Sequence, residues 1–389
     1  MSVQFIHCSD LHLDRNFNIF DSAKAQKRKD DLNNNFSKIV DYAIKNKPDL
    51  FFITGDIFDR IQPSNVSRVF LVKKIKELAA AGIKVFAIAG NHDIPKLGEH
   101  PSLAIDVLSI AEFATVFSDS KSFQKETLKI DGKNVCICGK SYFSQLDQRN
   151  PLRDDKVSLD GDYNIMLLHA SLLGLNVSPS IPSMVNYNPF YASDMPPKLD
   201  YVGLGHFHNH FERDYNRCKI LNPGSIEKLS WSEASDEKGF VWGELNERGV
   251  QTEFISLPCR HMEQKDLHLT PEISDIDNAI GTFLSGLQGC EKIFKLNIKG
   301  TITLEQYSRL RFNEIYSKYN NLFFHLQINR EELEIEKYGR VFLSRIDNPK
   351  EGFAKRIDTL LSLTREDNER SMLSEVKTLG MKYLEAASQ

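Results

Sequence analysis

The sequence predicts an α/β protein: a two-sheet β-sandwich flanked by helices, followed by a small α+β domain and C-terminal helices. Three observations predict this fold class. Strand and helix patterns alternate between residues 3 and 89, strand patterns then predominate up to residue 257, and a shorter β-α-β pattern precedes a charged helical segment. Alternation favours a parallel sheet covered by helices, and a run of strands favours a second sheet packed on the first.

The first elements form two successive β-α-β units. A strand pattern covers Val3 to Ile6, a second strand ends at Ile53, and a third covers Val85 to Ala89. Ser64 is the expected N-cap of the second helix and Gly82 its end, since serine caps helix starts and glycine stops helices. The first helix is indicated by apolar residues at helical spacing, namely Leu32, Phe36, Ile39, Val40 and Ala43.

Six further strands are predicted by short apolar runs: NVCICGK, YNIMLLH, DYVGLGH, CKILNPG, KGFVWGEL and VQTEFISL. After Met262 the pattern changes to FKLNI, a helix from Leu304 to Tyr319, and FFHLQI. We therefore predict three parts: residues 1–262 as the main domain, 263–347 as a small α+β domain, and 348–389 as a helical segment.

The helical segment carries two apolar stripes. The first consists of Phe353, Ile357 and Leu360, and the second of Met372, Val376, Leu379 and Tyr383. Such stripes either dock on their own domain or bind a partner protein, and the sequence leaves both alternatives open.

Composition excludes several classes of protein. The chain has 389 residues, is 41% hydrophobic and has a net charge of -4, so no global charge attracts it to phosphate backbones. Its six cysteines form no C-x-x-C pair, which argues against a zinc ribbon or a disulfide framework. No signal peptide and no apolar run of about 20 residues is recognisable, so we expect a cytoplasmic protein without a membrane partner.

Five short segments place metal-binding residue types directly after strand patterns: SDLH, GDIFD, GNHD, LLHA and GHFH. One such segment alone is often only turn chemistry, but five in series indicate a site, because side chains at the carboxyl ends of strands converge. The candidate residues are Asp10, His12, Asp56, Asn91, His92, His169, His206 and His208.

These donors suit two catalytic metal ions. Oxygen and imidazole ligands without thiolate favour manganese, iron or zinc in an open site over a structural zinc. Without His92, seven ligands give each ion about four if one carboxylate bridges. The alternative, that all are simply buried polar residues, is disfavoured because each unpaired group costs about 1 to 3 kcal/mol.

The motifs resemble the calcineurin-like metallophosphoesterase superfamily, whose pattern D-x-H, G-D, G-N-H-D, H, G-H-x-H occurs here in order within the first domain. Within it, FIHCSDLHLD, GDIFDR, YVGLGHFHNH and NPGSIEKLSWSE resemble the SbcD family of DNA-repair nucleases, prokaryotic relatives of the eukaryotic meiotic-recombination nuclease. The resemblance implies a metal-dependent DNA exonuclease, with endonuclease activity also expected, that processes double-strand breaks.

The resemblance also implies roles for residues and partners. Asp10, His12 and His208 would hold one metal, most simply Mn²⁺, and Asp56 would bridge to a second. The second metal would be held by Asn91, His169 and His206, with His92 as the catalytic histidine. The small domain would cap DNA. The C-terminal helices would bind an SbcC-type coiled-coil ABC ATPase, in a heterotetramer containing a homodimer of this chain.

The chain departs from the family pattern at two positions. Asp59 stands where some members have a histidine, which puts in doubt an endonuclease role ascribed to that histidine. Asp14 stands where glycine is common and adds a carboxylate near the site. Asp93 is expected either to orient His92 or to cap a turn, and His7 and His210 are expected not to be ligands.

Two rival functions stay open. A phosphodiesterase or phosphatase of the same superfamily could act on a small substrate, because fold and metals do not fix the substrate. A non-catalytic DNA-end clamp for an ATPase is the second rival, and the complete ligand set argues against it.

Overall fold

A computed structural model describes residues 2–95, 102–142, 150–153, 157–174, 188–336, 339–340, 349–364 and 367–386. The chain forms two compact units. Unit one comprises Met1–Glu263 and Cys290–Ile293, and unit two comprises Gln264–Gly289 and Phe294–Gln389. The predicted boundary at residue 348 falls in 341–348, outside the described residues, and the division into three functional parts stays a prediction.

Unit one contains helices α1 (Ser22–Asn46), α2 (Asn65–Ala80) and α3 (Val107–Ile110). Its strands are β1 (Val3–Cys8), β2 (Leu50–Thr54), β3 (Lys84–Ile88), β4 (Thr115–Val116), β5 (Gln124–Ile130), β6 (Lys133–Lys140), β7 (Tyr163–His169), β8 (Ser171–Leu173), β9 (Pro189–Tyr191), β10 (Tyr201–Gly205), β11 (Phe211–Tyr215), β12 (Cys218–Asn222), β13 (Gly239–Asn246) and β14 (Gly249–Ser256). Each strand predicted from the sequence is present.

The described strands of unit one build two large sheets and a small one. Sheet one has the order β14-β13-β1-β2-β3-β4, and sheet two has the order β11-β12-β10-β7-β6-β5. In sheet one, β1 to β4 run parallel; in sheet two, β6, β7, β10 and β12 run parallel. The small sheet pairs β8 with β9. The predicted two-sheet α/β class is confirmed.

The core lies in layers on both faces of sheet one. Between the sheets, apolar side chains of both meet, as in the pair Phe5 and Tyr201, whose ring centroids are 4.7 Å apart. On the outer face of sheet one, α1 and α2 pack through buried residues such as Phe36 and Ile75. Burial of these apolar faces is the main stabilising contribution to the sandwich.

Local sequence explains where the two large helices begin. The Asp21 carboxylate accepts the backbone N–H of Lys24, and the Ser64 hydroxyl accepts that of Ser67, so both helices have a side-chain N-cap. The predicted N-cap at Ser64 is therefore confirmed. Gly82, with φ of 81°, follows α2 and takes the left-handed conformation that ends helices.

Unit two contains most of a four-stranded sheet in the order β15-β16-β17-β18, with helices packed on it; residues 262–263 of β15 and Cys290–Ile293 of β16 belong to unit one. Its elements are β15 (Met262–Leu269), α4 (Ile276–Gly286), β16 (Gly289–Ile302), α5 (Leu304–Arg309), α6 (Phe312–Tyr319), β17 (Phe323–Ile335), β18 (Gly339–Arg340), α7 (Pro349–Leu363) and α8 (Asp367–Ala386). The sequence predicts β16 and β17 but not α4.

The prediction of one helix from Leu304 to Tyr319 is wrong, because the chain breaks into α5 and α6. Leu310 is extended at the break, with ψ of 116°. Leu310 and Phe312 both pack against the core of unit two. In a continuous helix, residues two apart point to different sides, so the break lets both contact the core.

The first C-terminal stripe packs within the helix pair. Ile357 of α7 is buried, and Gly380 of α8 lies so close to the Phe353 ring that an added Cβ would overlap it. The second stripe stays exposed: Met372 is 67% exposed and Tyr383 73%. Within the described residues, no helix combines the length and apolarity that a membrane span requires.

Candidate metal centre

The eight predicted site residues lie at the carboxyl ends of five parallel strands. Three of these strands (β1, β2 and β3) belong to sheet one, and two (β7 and β10) belong to sheet two. Because both sheets direct these ends to one place, the side chains converge although up to 198 positions separate them (208 minus 10). The converging residues are Asp10, His12, Asp56, Asn91, His92, His169, His206 and His208.

The backbone is strained at four of these positions. Positive φ angles occur at Asp10 (49°), His12 (45°), Asp56 (47°) and His206 (104°), where non-glycine residues are uncommon. Hydrogen bonds hold the first three: Asp10 N–H donates to the Gly55 carbonyl at 3.1 Å and His12 N–H to the Asp56 carbonyl at 2.9 Å. Strain of this kind typically accompanies a functional site.

Glycines in the motifs permit the close approach of the loops. A Cβ at Gly90 would overlap the Asp56 carboxylate, and one at Gly205 would overlap the Thr54 carbonyl. At Gly55 it would overlap the His169 ring. The glycines of GDIFD, GNHD and GHFH thus leave room for residues at the ends of neighbouring strands.

His12 and His208 face each other with their Nε2 atoms 3.1 Å apart. Each ring has a carboxylate behind it: His12 Nδ1 lies 3.0 Å from Asp59 Oδ1, and His208 Nδ1 lies 3.1 Å from Glu233 Oε1. An ionised carboxylate only accepts hydrogen bonds, so Nδ1 carries the hydrogen in both rings. In neutral rings, both Nε2 lone pairs then point at one spot, together with Asp10.

His169, Asn91 and His206 form the adjoining group. His169 Nδ1 donates to the Thr54 carbonyl at 2.9 Å, which directs Nε2 toward Asn91 Oδ1 at 3.0 Å. The same Asn91 oxygen lies 3.0 Å from His206 Nδ1. Burial lowers the pKa of His169, but the Asp56 carboxylate outweighs it and raises that pKa to about 9. In the metal-free protein, a proton therefore occupies Nε2.

Asp56 lies between the two groups. Its Oδ2 is 3.7 Å from His12 Nε2 and 3.5 Å from His169 Nε2, while Oδ1 accepts the His92 N–H at 2.8 Å. Burial would raise the pKa of Asp56, but the charges of His169 and His12 hold it well below its usual range. An anionic carboxylate between two imidazoles is placed as a bridging ligand would be.

This arrangement fits divalent cations. Three sets of side chains offer ligand atoms within 4.8 Å of one another: Asp10, His12 and His208; His12, Asp56 and His92; Asp10, Asp56 and His169. Converging lone pairs and buried carboxylates are costly unless a cation or proton neutralises them. Nitrogen and oxygen donors without sulfur match the metals expected from the sequence.

His92 lies beside these groups, half-buried. Its Nδ1 donates to the Asp59 carbonyl at 3.2 Å, which leaves Nε2 as the atom able to meet a substrate. The ring is edge-on to His12, with centroids 4.8 Å apart. This geometry is compatible with the catalytic role expected from the sequence.

Three flanking residues have other partners. The buried Asp93 carboxylate accepts the backbone N–H groups of Ile57, Phe58 and Gly90, and among the described residues these are its partners in place of the His92 ring. It instead ties the GDIFD and GNHD loops together. His7 is a hydrogen-bonded core histidine, which agrees with the expectation that it is not a ligand.

His210 is also outside the centre. Its Nδ1 donates to the Asn222 carbonyl at 3.1 Å, and its ring packs on Phe254 with centroids 4.4 Å apart. The expectation that it is not a ligand agrees with these contacts.

The two departures from the family pattern have different environments. The Asp59 carboxylate binds His12 and, at 2.7 Å, Arg15. Asp14 turns toward the helices: it accepts from Lys29 and from the Ser64 N–H. Asp14 is therefore already paired with donors from other elements.

Sequence reasoning missed Glu233 and Lys238. Glu233 ends the NPGSIEKLSWSE segment, and Lys238 follows five residues later. Burial would raise the pKa of Glu233, but the hydrogen bond from His208 and the charge of Lys238 hold it far below its usual range. The only available signal was the segment itself, because carboxylate partners of histidine have no fixed spacing.

A two-sheet α/β sandwich with histidines and carboxylates clustered at its strand ends is the architecture of metal-dependent phosphoesterases. The chain belongs to the calcineurin-like phosphoesterase family, whose family model matches residues 3–210. The chain is therefore a member of a hydrolase superfamily whose enzymes use a dinuclear metal centre.

Curated relatives support the finer resemblance. The chain is 26% identical over 287 residues to the DNA double-strand break repair protein Mre11 of Methanocaldococcus jannaschii, covering 72% of this chain and 73% of that protein. It is 24% identical over 322 residues to Mre11 of Sulfolobus acidocaldarius, covering 78% and 77%. The uncharacterized metallophosphoesterase YhaO of Bacillus subtilis is 27% identical over 254 residues, covering 64% and 59%. The predicted resemblance to SbcD-type nucleases is confirmed.

Proposed function

We propose that this chain is a DNA nuclease that hydrolyses phosphodiester bonds with two divalent metal ions, most simply Mn²⁺. The convergence of eight metal-type residues from five strand ends carries the proposal. The names of the archaeal relatives, which are DNA double-strand break repair proteins, support DNA as the substrate. Exonuclease cutting is the main activity, with endonuclease cutting of hairpins as the second.

The geometry supports a division of the ligands between the ions. One ion would be held by Asp10, His12 and His208, because their ligand atoms lie together. The other would be held by Asn91, His169 and His206, and both ions would share Asp56.

The chemistry divides between the ions and the protein. When bound, the two ions lower the pKa of a water and neutralise charge on the phosphate. His92 Nε2 would donate a hydrogen bond to the phosphate or a proton to the leaving oxygen when both ring nitrogens carry a hydrogen, because the Nδ1 hydrogen is already donated to the Asp59 carbonyl. Asp56 holds the His92 backbone N–H and so keeps this ring beside the bridging position.

The remaining segments supply substrate and partner contacts. We propose that residues 263–347 cap DNA and that α8 binds an SbcC-type coiled-coil ABC ATPase in the cytoplasm. The exposed stripe of α8 supports the partner role, because large apolar side chains are left uncovered there. The complex is a heterotetramer built on a homodimer of this chain and acts in double-strand break processing.

One experiment separates the proposed function from its rivals. Metal-free full-length protein is given Mn²⁺ with end-labelled linear duplex DNA, hairpin DNA, nucleotides and a nitrophenyl phosphodiester. We expect shortening of the linear duplex that disappears in Asp56→Asn, which lacks the bridging charge. Nucleotide cleavage with intact duplex would instead support a small-substrate enzyme, and no cleavage with DNA-end binding would support the clamp.

A further inference from the structure

We propose that Asp59 and Glu233 are positioning residues that make the metal position at His12 and His208 the tighter of the two. This inference rests on the proposed two-metal function and adds an order of affinity to it. It derives from the hydrogen-bond partner of each imidazole nitrogen that faces away from the metal position.

Asp59 holds the His12 ring. Its Oδ1 is 3.0 Å from His12 Nδ1 and 2.7 Å from the Arg15 guanidinium, and its own carbonyl accepts from His92 Nδ1. One residue therefore fixes both the ligand ring and the neighbouring catalytic ring. In the sequence, Asp59 is a departure from the family pattern. In the structure, its carboxylate accepts a hydrogen bond from the proposed ligand His12.

Glu233 holds the His208 ring from a different element. Its Oε1 is 3.1 Å from His208 Nδ1, and its Oε2 is 2.8 Å from Lys238 Nζ. Lys238 is fully buried and also donates to the His208 carbonyl at 2.7 Å. Hydrogen bonds from His208 to Glu233 and from Lys238 to His208 thus fix both the side chain and the backbone of His208.

At the other proposed metal position, the candidate ligands have different hydrogen-bond partners. His169 Nδ1 donates to a backbone carbonyl, that of Thr54, and the neighbouring candidate ligand Asn91 is a neutral amide. A carboxylate behind an imidazole raises its basicity as a ligand more than a neutral carbonyl does, because it stabilises the positive charge that metal binding places on the ring. Two of the three ligands at the first position have this support.

Calorimetric titration of the metal-free full-length chain with Mn²⁺ tests the order of affinity. The wild type should bind two ions in two classes. Asp59→Asn and Glu233→Gln, which keep the side-chain shape, should each weaken the tight class by about 10- to 100-fold and leave the weak class unchanged. His206→Ala should keep the tight class, and Glu233→Gln in that background should weaken the remaining ion.

Asp200→Asn is the matched control. Asp200 is a buried carboxylate paired with Arg217 at 2.6 Å, but it precedes β10, at the opposite end of the strand from the centre. Its loss should lower the unfolding temperature without changing either Mn²⁺ class. Thermal unfolding of each metal-free variant confirms that the titrated protein is folded.

The outcomes distinguish a failure of the positioning role from a failure of the proposed two-metal function. If the wild type binds two ions and cuts DNA, while Asp59→Asn and Glu233→Gln leave the tight class intact or weaken both classes equally, the positioning role is wrong and the nuclease stands. If His206→Ala removes the tight class, the assigned order is wrong. A wild type that binds no Mn²⁺ overturns the metal centre itself.

Discussion

Hydrogen-bond partners assign the hydrogen of three imidazoles in the centre. In His12, His169 and His208, Nδ1 faces an oxygen that only accepts, so the hydrogen lies there and Nε2 faces the other ligands. His92 has the same assignment through the Asp59 carbonyl, yet it is half-buried and stands beside the others. Nε2 of the first three rings is thus left for a cation, whereas Nε2 of His92 donates to a substrate only when that ring carries a hydrogen on both nitrogens.

The first prediction concerns His92. Changing it to alanine removes the donor beside the bridging carboxylate without removing a ligand, so duplex cutting should fall by about 10²- to 10⁴-fold while Mn²⁺ affinity is retained. Cutting rates and calorimetric titration measure the two effects. His210→Ala, which removes a ring outside the centre, is the control and should cut normally. Equal rates for the two variants would show that His92 takes no part in the reaction.

His7, which lies outside the centre, contributes to the stability of the protein. His7 of β1 is buried between the sheets; Thr54 Oγ1 donates to the Leu204 carbonyl, so it accepts from His7 Nε2 at 2.8 Å. His7 Nδ1 then accepts from the Tyr201 hydroxyl at 2.7 Å. Burial, assisted by His210, lowers the pKa of His7 from 6.5 to about 3.

The second prediction is the pH dependence that follows from His7. Between pH 6.5 and 3 the unfolded chain binds a proton that folded His7 refuses, so the free energy of unfolding falls as pH falls through that window. The loss is on the order of 3 to 5 kcal/mol over the full window. Urea unfolding of metal-free protein at pH 7 and pH 5 should show this slope, and His7→Gln should flatten it. His261→Gln, at a 65% exposed side chain, should keep the wild-type slope.

At the scale of elements, the centre depends on how each strand ends. Each ligand follows its strand within four residues or closes it, and the glycines next to Asp56, Asn91 and His206 allow another loop to approach. Helices α1 and α2 cover sheet one but carry no ligand, so they support the centre only through the strands they pack on.

The third prediction tests this close approach. An alanine at Gly205 would place its Cβ against the Thr54 carbonyl, so Gly205→Ala should destabilise the protein by about 1 to 3 kcal/mol and weaken Mn²⁺ binding. Gly286→Ala is the matched control, since nothing lies within 4 Å of a Cβ there. Chemical unfolding and metal titration measure both. If Gly205→Ala changed neither the stability nor the Mn²⁺ binding, the two strand ends would be able to separate without cost.

Sequence predicts those features that local chemistry determines. The Ser64 cap, the strands before each motif and the eight converging residues follow from periodicity and from strand ends. The break at Leu310 and the partners Glu233 and Lys238 do not, because both depend on contacts between segments distant in the chain. Asp59 is an intermediate case: its departure is visible in the sequence, but its partner His12 is 47 positions away.

At the scale of the whole molecule, sheet one and sheet two each contribute part of every proposed metal position. His12 comes from sheet one and His208 from sheet two, while Asn91 comes from sheet one and His169 from sheet two. Unit two has its own core and contributes none of these residues. Chemistry and partner binding are therefore expected to be separable by mutation.

The fourth prediction tests that separation. Replacing both Met372 and Tyr383 of α8 by aspartate should abolish co-purification with a co-expressed SbcC-type ATPase, because charge would replace the exposed apolar stripe. Cutting of single-stranded DNA by the isolated chain should be unchanged. Ser374→Asp, on an exposed position outside the stripe, is the control and should still bind. Retained binding by the double variant would assign the contact to another surface.

The spread of the ligands along the chain has a consequence for biosynthesis. Because synthesis runs from the N-terminus, Asp10 leaves the ribosome well before His206 and His208, which are the last of the proposed ligands in the chain. A nascent chain, or a fragment cut short before these histidines, therefore lacks ligands for both ions and offers only scattered, exchangeable donors. On the proposed two-metal assignment, hydrolytic capacity therefore arises only once both histidines have been synthesised.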